Sequence, residues 1–357
     1  MPRIAPENAK SDSDEVPENR EAGKTLTEDN IGSANQTNRI DHPDDGSARG
    51  NSEHTDSVVP RDCPSCGGPS IHNPIEVRSK AAIEISSNDA IDEYWGGFRR
   101  DDFFFDYVRC ESCGLLYNAE YLRDDLIAHA YSDMEDNTSG VPQHLLRKTQ
   151  GRYVAAMENF APMEGVYLEI GPDIGLAAGL AVERGSISKL VLVEPNRATH
   201  NTLHLLAPSV DTVVLESIDE MNPEIQVDRL FLVHVLDHLT NPRDDLIDLR
   251  ERMAAGGLMA VVVHNEASFL RRVLGRKWPP FRLQHPQLFS RRTLTTLIES
   301  CDFNVLKVRS TFNTFSVRHL LATGLSMLGL EPRWLSRVPE LALTVPLGNI
   351  VAVAEAV

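Results

Sequence analysis

VYLEIGPDIG, Val166 to Gly175, is a short apolar strand that ends in an acid, Glu169, and runs into a turn carrying Gly171 and Gly175. The residues that follow, LAAGLAVERG, are small and apolar, as at the start of a helix packed on a sheet. Glu194, nineteen residues past Gly175, closes a second apolar strand, Lys189 to Val193. This is the sequence form of a nucleoside-binding α/β unit. Glycines let the backbone approach the ligand, and an acid at the tip of the second strand accepts hydrogen bonds from ribose hydroxyls. The turn has no phosphate-cradling lysine and only two of the usual glycines, so the pattern points to S-adenosylmethionine rather than a dinucleotide.

Around this stretch the hydrophobic pattern alternates between two periods. A helix-like run from His144 to Phe160 leads in. Strands are expected near 166–170, 189–193, 212–215, 229–233 and 258–263, with helices near 176–184, 197–206 and 243–254. Ser290 is placed to cap a further helix to about Ser300, and strands near 304–309 and 349–354 complete the set. Alternation of this kind predicts an α/β fold with a doubly wound, mostly parallel sheet, here seven-stranded. The apolar segment His319 to Leu347, broken by Pro332 and Pro339, reads as helices covering an acceptor site. Its competing reading is a surface that touches a membrane or a lipid-linked substrate.

Upstream the composition changes twice. Residues 1–60 carry 13 acids against 6 bases and almost no clustered apolar residues. Such a segment cannot bury enough surface to offset its chain entropy, so an acidic, disordered N-terminal tail is expected. Residues 61–133 hold two near-identical knuckles, CPSCGG and CESCGL. In each, two thiolates three positions apart in a tight turn can face one tetrahedral Zn²⁺ at about 2.3 Å. Cys63, Cys66, Cys110 and Cys113 are therefore expected to form a structural zinc site, with no open position for catalysis. The aromatic residues between the knuckles, among them Tyr94, Trp95, Phe98 and Phe103 to Phe105, read as the small core of this module rather than a base-stacking platform. Cys301 reads as a buried small hydrophobe. The expected domains are thus 1–60, 61–133 and 134–357.

The net charge of −17, without a basic stripe, makes the chain a poor candidate for nucleic-acid binding. No apolar run is long enough to span a membrane, and MPRIAPENAKSDSDE lacks the apolar core of a secretory signal, so a soluble cytoplasmic protein is expected.

These blocks together resemble class I S-adenosylmethionine-dependent methyltransferases, specifically bacterial ones with an N-terminal zinc ribbon found among sugar and cell-surface saccharide genes. The resemblance runs from about Cys63 to the C-terminus. It rests on the paired knuckles, LEIGPDIG, VLVEPN, VDRLFLVHVLDHLTNP followed by Gly256 and Gly257, and QHPQLFSRRTLTTLIESCDF. It implies a Rossmann-like sheet in which Glu169, Gly171 and Gly175 line the methionine end of the cofactor and Glu194 holds the ribose. Glu216 and Ser217 would contact the adenine, and His234 and Val235 would lie beside the sulfonium and the acceptor. Asp173 stands where the family has its middle glycine, and would pair with the cofactor ammonium or crowd the turn. Leu236-Asp237-His238 replaces the usual Leu-Glu-His, and Gln284-His285 replaces Glu-His, removing a carboxylate that could orient the histidine.

Methyl transfer to a hydroxyl needs a general base, and histidine suits the role. The resemblance ranks His285 first and His238 second, with His234 and His264 behind them, and leaves Tyr131 within possible reach of the acceptor. The expected activity is methyl transfer to a small polar acceptor, a saccharide or nucleotide sugar. An RNA methyltransferase with a zinc module, and a degenerate binding protein in which Asp173 has abolished cofactor binding, are the alternatives. Oligomeric state is left open.

Overall fold

Val58 and Val59 are β-branched, and the paired chain begins with them. Strand β1 (Val58–Pro60) runs antiparallel to β5 (Glu120–Leu122), with Val58 opposite Leu122. This is ahead of the boundary at residue 61 drawn from composition. The computed structural model describes residues 57–79, 91, 95, 103–132, 142–326, 334, 338–339 and 341–357. All lie within one compact unit, Ser52–Val357. Residues 1–56 of the expected tail lie outside the described residues, as do Tyr94, Phe98 and Pro332.

Between β1 and β5 come β2 (Ile75–Val77), β3 (Tyr107–Arg109) and β4 (Leu116–Asn118); helix α1 (Asp124–Ser132) follows. Helix α2 (Gln143–Glu158) then leads into β6 (Glu164–Ile170), α3 (Leu176–Arg184) and β7 (Ser186–Val193). The chain continues through α4 (His200–His204), β8 (Asp211–Leu215), β9 (Val227–Val233), α5 (Pro242–Glu251) and β10 (Met253–His264). After α6 (Phe269–Leu274), β11 (Gln287–Leu288) and α7 (Arg291–Glu299) come β12 (Phe303–Ser310) and β13 (Asn313–Ser316). Helix α8 (Val317–Ser326), β14 (Ala342–Val345) and β15 (Asn349–Ala356) end it.

Seven strands form the main sheet in the order β12-β15-β10-β9-β6-β7-β8. Strands β10 to β8 are parallel, whereas β15 is antiparallel to both of its neighbours. The expected doubly wound, mostly parallel sheet is present. Its two faces follow from the period of two along a strand. Val191, Val193, Leu230 and Leu232 pack on one side with α5 and α7, while Leu190, Leu192 and Phe231 pack on the other with α3 and α4. Strand order reverses between β6 and β9, which opens a crevice at their C-terminal ends.

Two expectations are modified. The helix near 197–206 is a 3-10 turn followed by the short α4, because the Asn196 side chain accepts from Ala198 N at 3.0 Å and tightens the start. The segment expected to be helical to Leu347 ends instead in β14, antiparallel to β13 with Thr314 opposite Thr344. The Leu-Ala-Leu-Thr-Val run carries a strand pattern that the surrounding apolar residues masked. Among the described residues no helix is long and apolar enough to cross a membrane.

The cysteine module is built into the main domain. Strand β11, from the loop after β10, completes a second sheet in the order β11-β4-β3-β2. The aromatic core expected for the module is correspondingly shared: Phe104 and Tyr107 pack with Trp278, Phe281 and Leu288.

Candidate functional site

The β6 turn closes on backbone geometry that few residues tolerate. Gly171, Asp173 and Gly175 have φ of 63°, 55° and 75°. Aspartate is among the few non-glycine residues that enter this left-handed region at low cost, so Asp173 replaces a glycine without breaking the turn. A Cβ on Gly171 would come within 2.8 Å of the Val235 side chain, and one on Gly175 within 2.8 Å of Leu206 and 2.9 Å of Leu203. Gly175→Ala is therefore expected to cost about 1–3 kcal/mol through strain and overpacking, read as a lower melting temperature.

Glu194, at the tip of β7, spans this turn. One carboxylate oxygen accepts from Asp173 N at 2.9 Å and the other from Asn196 N at 3.0 Å. It is buried, and burial pushes its carboxyl above the ordinary value. Glu169 is buried beneath the turn and accepts from Tyr167 OH at 2.8 Å, and burial pushes it up to about 8. The crevice thus has two acids placed by adjacent parallel strands, both raised by burial. Glu216, after β8, pairs at the surface with Arg197 at 2.6 Å, and Ser217 accepts from Asp219 N at 3.3 Å to cap the next turn.

Beyond β9 and β10 the strand ends carry a row of imidazoles. His234, at φ 56°, lies 4.5 Å from His264 between ring centroids; His264 lies 4.8 Å from His285, and His285 4.6 Å from His238. Fully buried Asp237 sits behind them, with Oδ2 accepting from His264 Nδ1 at 2.6 Å and from His264 N at 3.2 Å. Burial opposes its charge, but His264 beside it holds the carboxyl well below the usual range. Burial lowers His234 to about 3 and His238 to about 4, and burial together with His238 and His264 lowers His285 well below 6.5. His285 Nδ1 donates to Pro280 O at 2.7 Å, which leaves its Nε2 lone pair available. Tyr131 OH meets His238 Nδ1 at 2.8 Å. His234 Nδ1 and Asp237 Oδ1 are buried with no hydrogen-bond partner.

The expected residues therefore fall into three groups: Glu169, Gly171, Asp173, Gly175 and Glu194 around the turn, His234, His238 and His285 beyond the strand ends, and Glu216 and Ser217 apart from both after β8. Sequence reasoning passed over Asp237 as a conservative change, although it supplies an orienting carboxylate to His264, while His285 is oriented by the Pro280 carbonyl. Asn349, which donates to His234 Nε2 at 3.2 Å, had no sequence signal at all. His234, Asp237 and His264 have the composition of a cation site. The short His264–Asp237 hydrogen bond instead uses the carboxylate to orient the ring.

The four cysteines meet at one point. Cys63 Sγ lies 3.5 Å from Cys113 Sγ, and Cys66 Sγ 3.6 Å from Cys110 Sγ; all four are within 4.8 Å of one another. Four thiolates at about 2.3 Å from a tetrahedral ion stand about 3.8 Å apart, so the cluster fits a metal, whereas disulfides would need about 2.0 Å. Each knuckle closes by a glycine amide, with Gly67 N to Cys63 O at 2.8 Å and Gly114 N to Cys110 O at 2.9 Å. The knuckles also brace the histidine loop. Tyr107 OH donates to His285 O at 2.6 Å, Tyr121 OH to Leu283 O at 2.7 Å, and Arg109 pairs with Glu266 at 2.9 Å.

No curated protein sequence matches the chain. Among solved structures, an S-adenosylmethionine-dependent methyltransferase from Thermotoga maritima aligns at 18% identity and TM-score 0.40, over 60% of this chain and 90% of its own. The N-methyltransferase NodS from Bradyrhizobium japonicum, solved with S-adenosyl-L-homocysteine, aligns at 12% and 0.40, over 64% and 96%. A Mesorhizobium loti S-adenosylmethionine-dependent methyltransferase aligns at 11% and 0.40, over 57% and 96%. Residues 143–308, which hold the turn, both acids and the whole histidine row, match the profile of a family described as a methyltransferase domain. Over residues 143–308 the chain is similar to that methyltransferase-domain family.

Proposed function

We propose that this enzyme methylates a hydroxyl of a small polar acceptor, a saccharide or nucleotide sugar, and that its four cysteines hold a structural zinc. The observation that carries the acceptor reading is the row of half-buried histidines, with His285 buried among them and one buried carboxylate behind, beyond the C-terminal ends of β9 and β10. S-adenosylmethionine, when bound, supplies an electrophilic methyl group. The chain's own residues bind, align and accept a proton.

Glu194 would hold the ribose hydroxyls, and Glu169 with Asp173 the cofactor ammonium. Glu216 and Ser217 would contact the adenine, and His234 would lie beside the sulfonium and the acceptor. An alcohol must lose its proton as the new bond forms. His285 Nε2 and His238, the latter fixed by Tyr131, hold the hydroxyl. Of the four imidazoles, His264 is the one whose protonated form has a carboxylate partner, the logic by which an aspartate supports a histidine in hydrolases. We assign the proton's resting place to His264, with Asp237 as the positioning residue. Four reduced thiols and the acidic composition suit the cytoplasm.

His264→Ala and Asp237→Asn are each expected to lower methyl transfer about 10²- to 10⁴-fold while cofactor affinity is unchanged. The measurement is transfer of labelled methyl to a panel of nucleotide sugars, with an RNA panel alongside. Label appearing on RNA, or on no saccharide, would sink the acceptor reading.

A further inference from the structure

Helix α6 and the 3-10 turn Gly275–Lys277 form a short arm that leaves the end of β10 and returns toward β11. Its inner side is anchored. Leu270 and Leu274 pack on the cluster of Phe104, Tyr107 and Trp278, and Arg271 turns inward to Glu76 at 2.7 Å and over Phe281 at 5.7 Å. Its outer side is of a different kind. Phe269 is 81% and Val273 63% exposed, and Arg272, Arg276 and Lys277 are exposed beside them. Phe269, Arg272 and Val273 share one face of α6, and Arg276 and Lys277 follow in the 3-10 turn after Gly275, whose φ of 54° ends the helix. Arg272, Arg276 and Lys277 make no ion pair with any described residue, although the chain has 52 acids to 35 bases.

We propose that this face docks the enzyme on an anionic membrane surface, with Phe269 and Val273 entering the headgroup boundary and Arg272, Arg276 and Lys277 meeting phosphate-bearing lipids. Two apolar side chains framed by three cations are the composition of an interfacial helix. The apolar pair has no use against a nucleic-acid backbone. The exposed side of the arm is a six-residue helix and a three-residue turn, far short of the roughly 800 Å² per side that stable protein interfaces bury. Charge gives the docking its direction. A protein of net charge −17 is repelled by an anionic surface in most orientations, and this local cationic face selects one. That orientation sets the acceptor histidines near the bilayer, because the arm starts five residues after His264 and ends eight before His285.

The test is co-sedimentation of the full chain with vesicles of phosphatidylcholine alone and of phosphatidylcholine with about one third phosphatidylglycerol. Binding is expected to the anionic vesicles, to weaken with salt, and to be absent from the neutral ones. Joint replacement Arg272→Glu, Arg276→Glu, Lys277→Glu is expected to lower partitioning at least about a hundredfold. Phe269→Ala with Val273→Ala lowers it several-fold, and both variants keep the wild-type melting temperature and cofactor affinity. The proposal is overturned if the wild type ignores anionic vesicles, or if neither variant changes binding. It is equally overturned if the face proves to join two copies of the chain, seen as a dimer that the variants dissociate without any vesicle binding. Retained cofactor binding keeps each of these outcomes separate from the methyl-transfer reading.

Discussion

Cys63→Ser is expected to lower the zinc content from the proposed one ion per chain to near none, and to unfold the module at temperatures where the wild type is intact. The size of the effect follows from the energies involved. Structural zinc sites in small modules are worth about 10–16 kcal/mol, as much as the whole stability of an ordinary domain, about 5–15 kcal/mol. The strands that flank the knuckles are three residues each and cannot hold themselves. Loss of the metal is expected to release Tyr107 and Tyr121 from the carbonyls of His285 and Leu283, and so to end methyl transfer. The crevice between β6 and β9 has its own supports, so cofactor binding should survive. Metal analysis, a thermal melt and a cofactor titration on one preparation check all three statements. An unchanged melt in a zinc-free variant would remove the structural role.

The second large effect is at Glu194. Its two oxygens already take the amides of Asp173 and Asn196, so the carboxylate is fixed before any ligand arrives. Hydrogen bonds to a charged group are worth about 1.5–3 kcal/mol each. Loss of the two proposed ribose contacts in Glu194→Ala is then expected to weaken cofactor binding at least about a hundredfold. The turn itself loosens as Asp173 N loses its acceptor, which adds to the loss.

Much of this was legible from local pattern. The period-two strands, the VYLEIGPDIG turn and Glu194 lie close together in the chain, and their spacing is fixed by one β-α-β unit. The knuckles are legible for the same reason, since each pair of thiols sits in one turn. The histidine row was named residue by residue but not as a row. Tyr131, Asp237, His264 and His285 come together through the order of β9, β10 and the loop to β11, and no spacing encodes that meeting. Asp173 was ambiguous because a one-letter sequence does not give φ; at 55° it is an ordinary tolerated aspartate. The merger of β11 with the cysteine module was also hidden, because a two-residue strand in a Pro-rich loop has no period to read.

Calorimetric titration with S-adenosylmethionine and S-adenosyl-L-homocysteine is the most direct test of the central claim. Binding of both in the micromolar range by the zinc-loaded wild type, lost in Glu194→Ala, is the expected result. Absence of binding by folded, zinc-loaded protein would contradict the account and make the β6 turn a structural relic.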